Sequence, residues 1–216
     1  MLYYETIGLA ALELLTKIMK DPLFDDFILV GGTALSLKLG HRISIDIDLF
    51  SDKPYDENNL VNHLISEYQF ELDFIAKNTI KGEINGVQID CISHQYHWIE
   101  KPVIEENIRL AGSLDIAAMK LNAIAGNGTR IKDFIDVAFL SEKLSFNNMI
   151  EAYRQKYNSN PIIPVKSITY FDDINFDEPI KMTKGKSFNW KNIENRLKEM
   201  QKSPDKIFTA DRKSVV

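Results

Sequence analysis

The stretch Phe27 to Phe50 reads FILVGGTALSLKLGHRISIDIDLF, and the fold turns on it. Phe27-Ile28-Leu29-Val30 is an apolar run with the length and β-branched content of a buried strand. Gly31-Gly32 permits a sharp turn, Thr33 is a good N-cap, and Gly40 stops the helix expected between them at about Leu39. From Ile43 to Phe50 the chain alternates, predicting a strand with Ile43, Ile45, Ile47 and Leu49 on one face and Ser44, Asp46 and Asp48 on the other. Alternate residues of a strand share a face about 7 Å apart. Two carboxylates held that close repel each other, and the usual remedy is a divalent cation between them. Oxygen-only ligands favour Mg²⁺ or Mn²⁺ over zinc. Where a Gly-Gly turn meets a helix N-terminus, backbone N–H groups can also hold a phosphate. The bland alternative is a plain βαβ unit with solvated aspartates, but Asp is disfavoured in strands and two on one face need a reason. A phosphate cradle beside paired aspartates is a design for handling nucleotides.

The 216 residues suffice for one substantial core with room for a small second lobe. With 44% apolar and 26% charged residues, the composition is that of a soluble globular chain. Cys91 is the only cysteine, so no intramolecular disulfide forms, which points to a reducing cytoplasm. No apolar stretch reaches membrane-spanning length, and Glu5, Glu13 and Lys17 interrupt what would be a signal peptide. The net charge of -5 argues against a general nucleic-acid binder. Its distribution is uneven: from Lys181 onward ten Lys or Arg stand against four Asp or Glu, a balance of +6, leaving -11 for the rest. That segment reads either as an RNA-contacting surface or as a solvated helix with a tail.

The remaining elements follow from periodicity and punctuation. Residues 3–20 space Ile7, Ala11, Leu14, Leu15 and Ile18 helically. Asp56 caps a helix to about Tyr68 with Leu60, Leu64 and Ile65 inward, and residues 70–77 alternate as a strand. Asn85-Gly86 between two alternating runs predicts a tight hairpin, which places Asp90 in mid-strand. Asp90 with His94 and His97 offers a metal triad on paper, but both histidines fall past the strand in an aromatic loop, where surface histidines are the default. His41 either faces phosphates or caps the preceding helix. A short strand is expected at Ile108–Leu110. Ser113 and Thr129 are expected to cap two consecutive helices, the second placing Asp133 and Asp136 on one face. Lys120, between Met119 and Leu121, can reach a phosphate while its stem packs on apolar neighbours. A helix over residues 145–157, a short strand over 162–170 and a helix near 190–202 complete the reading.

The pattern Gly31-Gly32-Thr33-Ala34 followed by Arg42-x-Ser44-x-Asp46-x-Asp48-Leu49-Phe50 resembles the first motif of the polymerase-β-like nucleotidyltransferases. More closely it looks like the AbiEii/AbiGii toxin branch. Asp115 to Lys120 with Arg130-Ile-Lys-Asp133-Phe-Ile-Asp136 is similar to that branch's second block. The resemblance covers most of residues 27–140. It implies an α/β fold, with a nucleotidyltransferase-like mixed sheet flanked by helices and a mostly helical C-terminal region. The divisions expected are residues 1–112 for the core with the metal-binding aspartates and 113–216 for the helical region closing the nucleotide cleft. It implies catalytic Asp46, Asp48, Asp90, Lys120 and Asp133, with Asp46, Asp48 and Asp90 also holding the metal. Nucleotide binding falls to Gly31, Gly32, Thr33, Arg42, Ser44, Lys120 and Asp136. The expected reaction moves a nucleoside monophosphate from an NTP to an acceptor hydroxyl, RNA or tRNA, with Mg²⁺ or Mn²⁺. The expected biology is a toxin with a cognate antitoxin as partner, in the cytoplasm and without a membrane. A non-catalytic nucleotide-binding module and a metal-dependent phosphohydrolase remain as alternatives.

Overall fold

A computed structural model of the chain describes residues 1–184 and 188–209. Lys186, Asp211, Arg212 and Lys213, part of the basic C-terminal segment, lie outside the described residues. The chain opens with a 3-10 turn at Tyr4–Thr6 and helix α1 (Leu9–Ile18), whose Ala11, Leu15 and Ile18 are buried. Strand β1 (Ile28–Leu29) leads straight into α2 (Gly31–Leu39), which ends at Gly40 in the left-handed conformation that glycine favours (φ 62°). Then come β2 (Ile47–Ser51), α3 (Glu57–Tyr68), and the strands β3 (Glu71–Ala76), β4 (Thr79–Ile84) and β5 (Val87–Ser93). A second hairpin, β6 (Val103–Glu105) and β7 (Ile108–Leu110), precedes helices α4 (Ser113–Gly126), α5 (Ile131–Leu140), α6 (Phe146–Tyr157), α7 (Ile162–Ser167) and α8 (Trp190–Lys202).

The strands form one mixed sheet in the order β3-β4-β5-β2-β1-β7-β6. β2 is its middle strand, antiparallel to β1 and parallel to β5. Ile47, Leu49, Ile80, Ile84, Ile89 and Cys91 are buried from one face of the sheet. The opposite face of β2, β5 and β4 carries Asp48, Asp90 and Lys81 and stays partly open. The Asn85-Gly86 turn has positive φ at both residues (50° and 81°), as a two-residue hairpin turn requires, and pairs Ile84 with Val87. α4 packs against α5, α6 and α7, and α5 against α8, so the helical half builds a second layer. Among the described residues no helix is long and apolar enough to cross a membrane.

Several elements depart from the sequence reading. The alternation from Ile43 does not form strand until Ile47, because the preceding amides have other partners: Ile43 N bonds Lys181 O at 2.7 Å and Ser44 N bonds Thr6 O at 2.9 Å. Ile45 is 54% exposed as a result. Met182 bridges to Arg42, Thr183 N donates to His41 O, and Thr183 Oγ1 donates to Gly40 O at 2.6 Å. A segment far along the chain therefore fixes the loop before β2. Residues 162–167 are helical rather than extended, with Pro164 in the first turn, where a missing N–H costs nothing. Ile65 is 48% exposed, while Leu60 and Leu64 are buried. Thr33, Ser113 and Thr129 are not caps: α2 and α4 begin at or before Thr33 and Ser113, and Arg130 is the N-cap of α5.

Candidate active site

The parallel register of β2 on β5 sets Asp48 directly beside Asp90. Asp46, exposed on the loop entering β2, joins them around a pocket of about 230 Å³ that Gln88 and Arg130 also line. Burial, then the charge of Asp90, pushes the Asp48 carboxyl up to about 6, with Lys120 pulling the other way. The Lys81 ammonium, opposite Asp90 in the hairpin, forms an ion pair with it.

The turn above this pocket admits only glycine at its first position. Gly31 has φ 67°, and a Cβ there would run into the Asp48 carboxylate. A Cβ on Gly32 would meet the Arg42 guanidinium, with the Ser44 hydroxyl close behind. Gly31, Gly32, Ser44 and Arg42 therefore share one small space next to Asp48. Thr33 turns elsewhere: it is buried in α2 and its hydroxyl donates to the Asp46 carbonyl, tying that loop to the helix.

Behind the pocket lies a buried cluster of charges. Arg42 grips Asp136 in bidentate fashion, with Nε 2.7 Å from Oδ1 and Nη2 2.9 Å from Oδ2, and Nη1 donates to the carbonyl of Ile43. His41 Nε2 lies 2.8 Å from the same Oδ1. Lys120 Nζ is 2.7 Å from both Asp133 and Asp136. Burial alone would raise the Asp136 carboxyl, but Arg42 and Lys120 outweigh it and hold the group well below the usual carboxylate range. Burial likewise disfavours the Lys120 ammonium, yet Asp136 and Asp133 raise it above its ordinary value. Arg42 behaves the same way against Asp136. The cluster lashes α4 and α5 to the loop that delivers Asp46.

Among the described residues no three carboxylate, imidazole or thiol side chains close into a finished cation cage. The pocket nonetheless suits a hard divalent cation. Its donors are carboxylate oxygens, Asp48 is held beside the like charges of Asp90 and Asp46, and Gly31 leaves the space against its oxygen clear.

Residues 13–99 match the family described as "Nucleotidyl transferase AbiEii toxin, Type IV TA system". An uncharacterized protein of Aquifex aeolicus (strain VF5) is 34% identical over 170 residues, 74% of this chain and 81% of that one. The chain belongs to the AbiEii nucleotidyltransferase family. Solved structures share the AbiEii chain's fold. A nucleotidyltransferase structure from H. pylori superposes with a TM-score of 0.57 at 18% identity, covering 90% of this chain and 94% of that one. JHP933 from Helicobacter pylori gives 0.51 at 17% identity, with 91% and 92% covered. The antibiotic-resistance factor ANT(2'')-Ia gives 0.51 at 13% identity, with 67% and 90% covered.

In this AbiEii nucleotidyltransferase the residues singled out from sequence fall into two adjoining groups. Asp46, Asp48 and Asp90 meet at the pocket, with Gly31, Gly32 and Ser44 beside them. Arg42, Lys120, Asp133 and Asp136 form the buried cluster, joined to the pocket through the charge of Lys120 on Asp48. His94 and His97 are not in it. His94 sits among Phe50, Tyr96 and Tyr157 rather than on the surface, and burial lowers it to about 4. Gln88 and Lys81 have no place in the sequence reading, and Arg130, though it stands in the second block, has no site role there. Gln88 shares the face of Asp90 by the strand's period of two, and the two-residue hairpin fixes Lys81 opposite Asp90, so both were within reach of the pattern.

Proposed function

We propose that this AbiEii nucleotidyltransferase transfers a nucleoside monophosphate from an NTP to the hydroxyl of an RNA, most simply a tRNA 3′ end, using Mg²⁺ or Mn²⁺. The observation that carries the reading is the register pairing of Asp48 with Asp90 on the two central parallel strands, with Asp46 at the rim of the same pocket. Asp46, Asp48 and Asp90 would hold the cation, which when bound neutralises charge on the attacking and leaving oxygens of an in-line displacement. Backbone N–H groups after Gly31-Gly32, with the Ser44 hydroxyl, hold the β- and γ-phosphates. Asp90 takes the proton of the acceptor hydroxyl. That oxygen bonds the α-phosphorus, the bond from the α-phosphorus to the bridging oxygen breaks, and pyrophosphate leaves. Lys120 adds positive charge beside Asp48, while Arg42 stands against Gly32 with Asp136 and Asp133 fixing both cations. Residues 1–112 thus supply the carboxylates, and 113–216 supply the helices that close the cleft. The RNA acceptor is supported by the +6 balance after Lys181. The toxin role, with a cognate antitoxin, is supported by the family description, and the cytoplasmic setting by Cys91 being the only cysteine of the sequence.

The test incubates pure protein with each α-labelled NTP, total tRNA and Mg²⁺. Label in RNA with release of pyrophosphate is the expected result. Free phosphate as product would identify a phosphohydrolase, and nucleotide binding without turnover a regulatory module.

A further inference from the structure

One row of the sheet runs outward from the pocket to the sheet's edge. Asp48 pairs with Asp90, Asp90 with Lys81, and Lys81 with Phe74 on the edge strand β3. Directly opposed residues share a face, so all four side chains belong to the open side that carries the carboxylates. A register shift in β3 between Leu72 and Phe74 brings this about: Leu72 lies opposite Gly82, and Phe74 opposite Lys81, the very next residue. Without the extra residue, Asp73, the alternation would send Phe74 to the other face. Phe74 is 51% exposed. Neighbouring strands stand about 4.8 Å apart, so its ring lies about 10 Å from Asp90 and about 14 Å from Asp48.

We propose that Phe74 is a stacking platform for a base of the acceptor strand, just back from the hydroxyl that reacts, and that Lys81 lies under the phosphate between them. This rests on the RNA-acceptor reading above and adds the place where that acceptor lies. An exposed phenyl ring on an open sheet offers a π-face that any base can use, whatever the sequence. The Lys81 ammonium holds Asp90, but it carries three donors, and its side chain is 43% exposed. The flanking rows set the direction of the strand. Glu71 and Glu83 pair on one side of Phe74 and Lys81 and repel phosphates, whereas Ala76 and Thr79 on the other lead to exposed Lys77. The sugar-phosphate backbone therefore runs along the Thr79 side, with its bases turned over Phe74.

The test compares the full chain with Phe74→Ala, Phe74→Trp and Lys81→Gln, using total tRNA and labelled NTP. Binding of 5′-fluorescein oligoadenylate is followed by anisotropy. Phe74→Ala should raise the KM for tRNA and weaken oligoadenylate binding by roughly 5- to 150-fold, as loss of one stacked base does. The KM for NTP and the melting temperature should not move. Phe74→Trp should restore binding, and Lys81→Gln should flatten its salt dependence. Wild type that labels tRNA while Phe74→Ala does so with an unchanged tRNA KM overturns the platform alone. Wild type that labels protein instead overturns the RNA acceptor and the platform with it.

Discussion

Asp136→Asn is the sharpest probe of the charge cluster. The carboxylate is fully buried and is contacted by Arg42 twice, by His41 and by Lys120, at 2.7 to 2.9 Å. Removing its charge takes from Arg42 its bidentate carboxylate and leaves Lys120 with the Asp133 half of its pairing. Breaking a buried pair from one side costs about 3–5 kcal/mol, much of it the penalty on the charge left behind. For a chain of this size each kcal/mol is worth about 2–4 °C, so the melting temperature should fall by about 6–20 °C. Asp133→Asn should cost less, about 1–3 kcal/mol, because Lys120 keeps Asp136. Lys120→Met added to Asp136→Asn should cost less than the two separate losses together, since each variant removes the other's stranded partner. The pH dependence has a defined sign. A carboxyl held below its unfolded value contributes stability at every pH above about 3.8 and loses it only as pH falls toward its depressed value. The gap between wild type and Asp136→Asn should therefore stay constant from neutral pH to about pH 4 and close only in stronger acid. Urea and thermal melts across that range provide the measurement. A loss under about 1 kcal/mol, or a larger loss for Asp133→Asn, would refute the reasoning.

Asp48→Asn acts in the opposite direction on stability. Burial and Asp90 push that carboxyl up to about 6, so ionising it costs stability as pH rises from the ordinary 3.8 through 6. The variant should melt above wild type at neutral pH without divalent cations, lose that advantage below about pH 4, gain less from Mg²⁺ in a thermal melt, and transfer no label. Gly31→Ala should cost at least about 1–2 kcal/mol for its left-handed backbone and abolish transfer, because the new methyl displaces the Asp48 carboxylate; melting and label transfer read both. Thr33→Val keeps the side chain's shape but removes the hydroxyl on the Asp46 carbonyl. It should cost about 1 kcal/mol in urea and lower kcat about tenfold or more, since a misplacement of 1 Å can cost a hundredfold.

What the sequence disclosed was mostly local. The run before Gly31-Gly32, the Asn85-Gly86 turn and the alternation around Asp90 are governed by backbone sterics and by the side-chain period, and all three took the form they predict. The Ile43–Asp46 segment alternates just as well, yet Thr6 and Lys181 take its amides, and no local pattern announces partners so distant. Arg42 illustrates the same limit. A lone arginine beside a glycine turn suggests a phosphate, whereas its carboxylate lies 94 positions away on α5. The seating of Asp48 beside Asp90 depends on a parallel pairing between strands separated by α3, β3 and β4, which periodicity cannot specify.

The hydroxyl of Thr183 and the carbonyl of Gly40 are 143 residues apart in sequence. Closing so large a loop is entropically expensive, and contacts of this span slow folding more than local ones do. During synthesis the β3–β5 meander and α2 leave the ribosome well before residues 181–183, so the sheet can assemble while the Asp46 loop still lacks its distal strap. The newborn chain thus passes through a stage that is folded but not yet armed, and competence waits for a stretch of polypeptide made long after the carboxylates it serves.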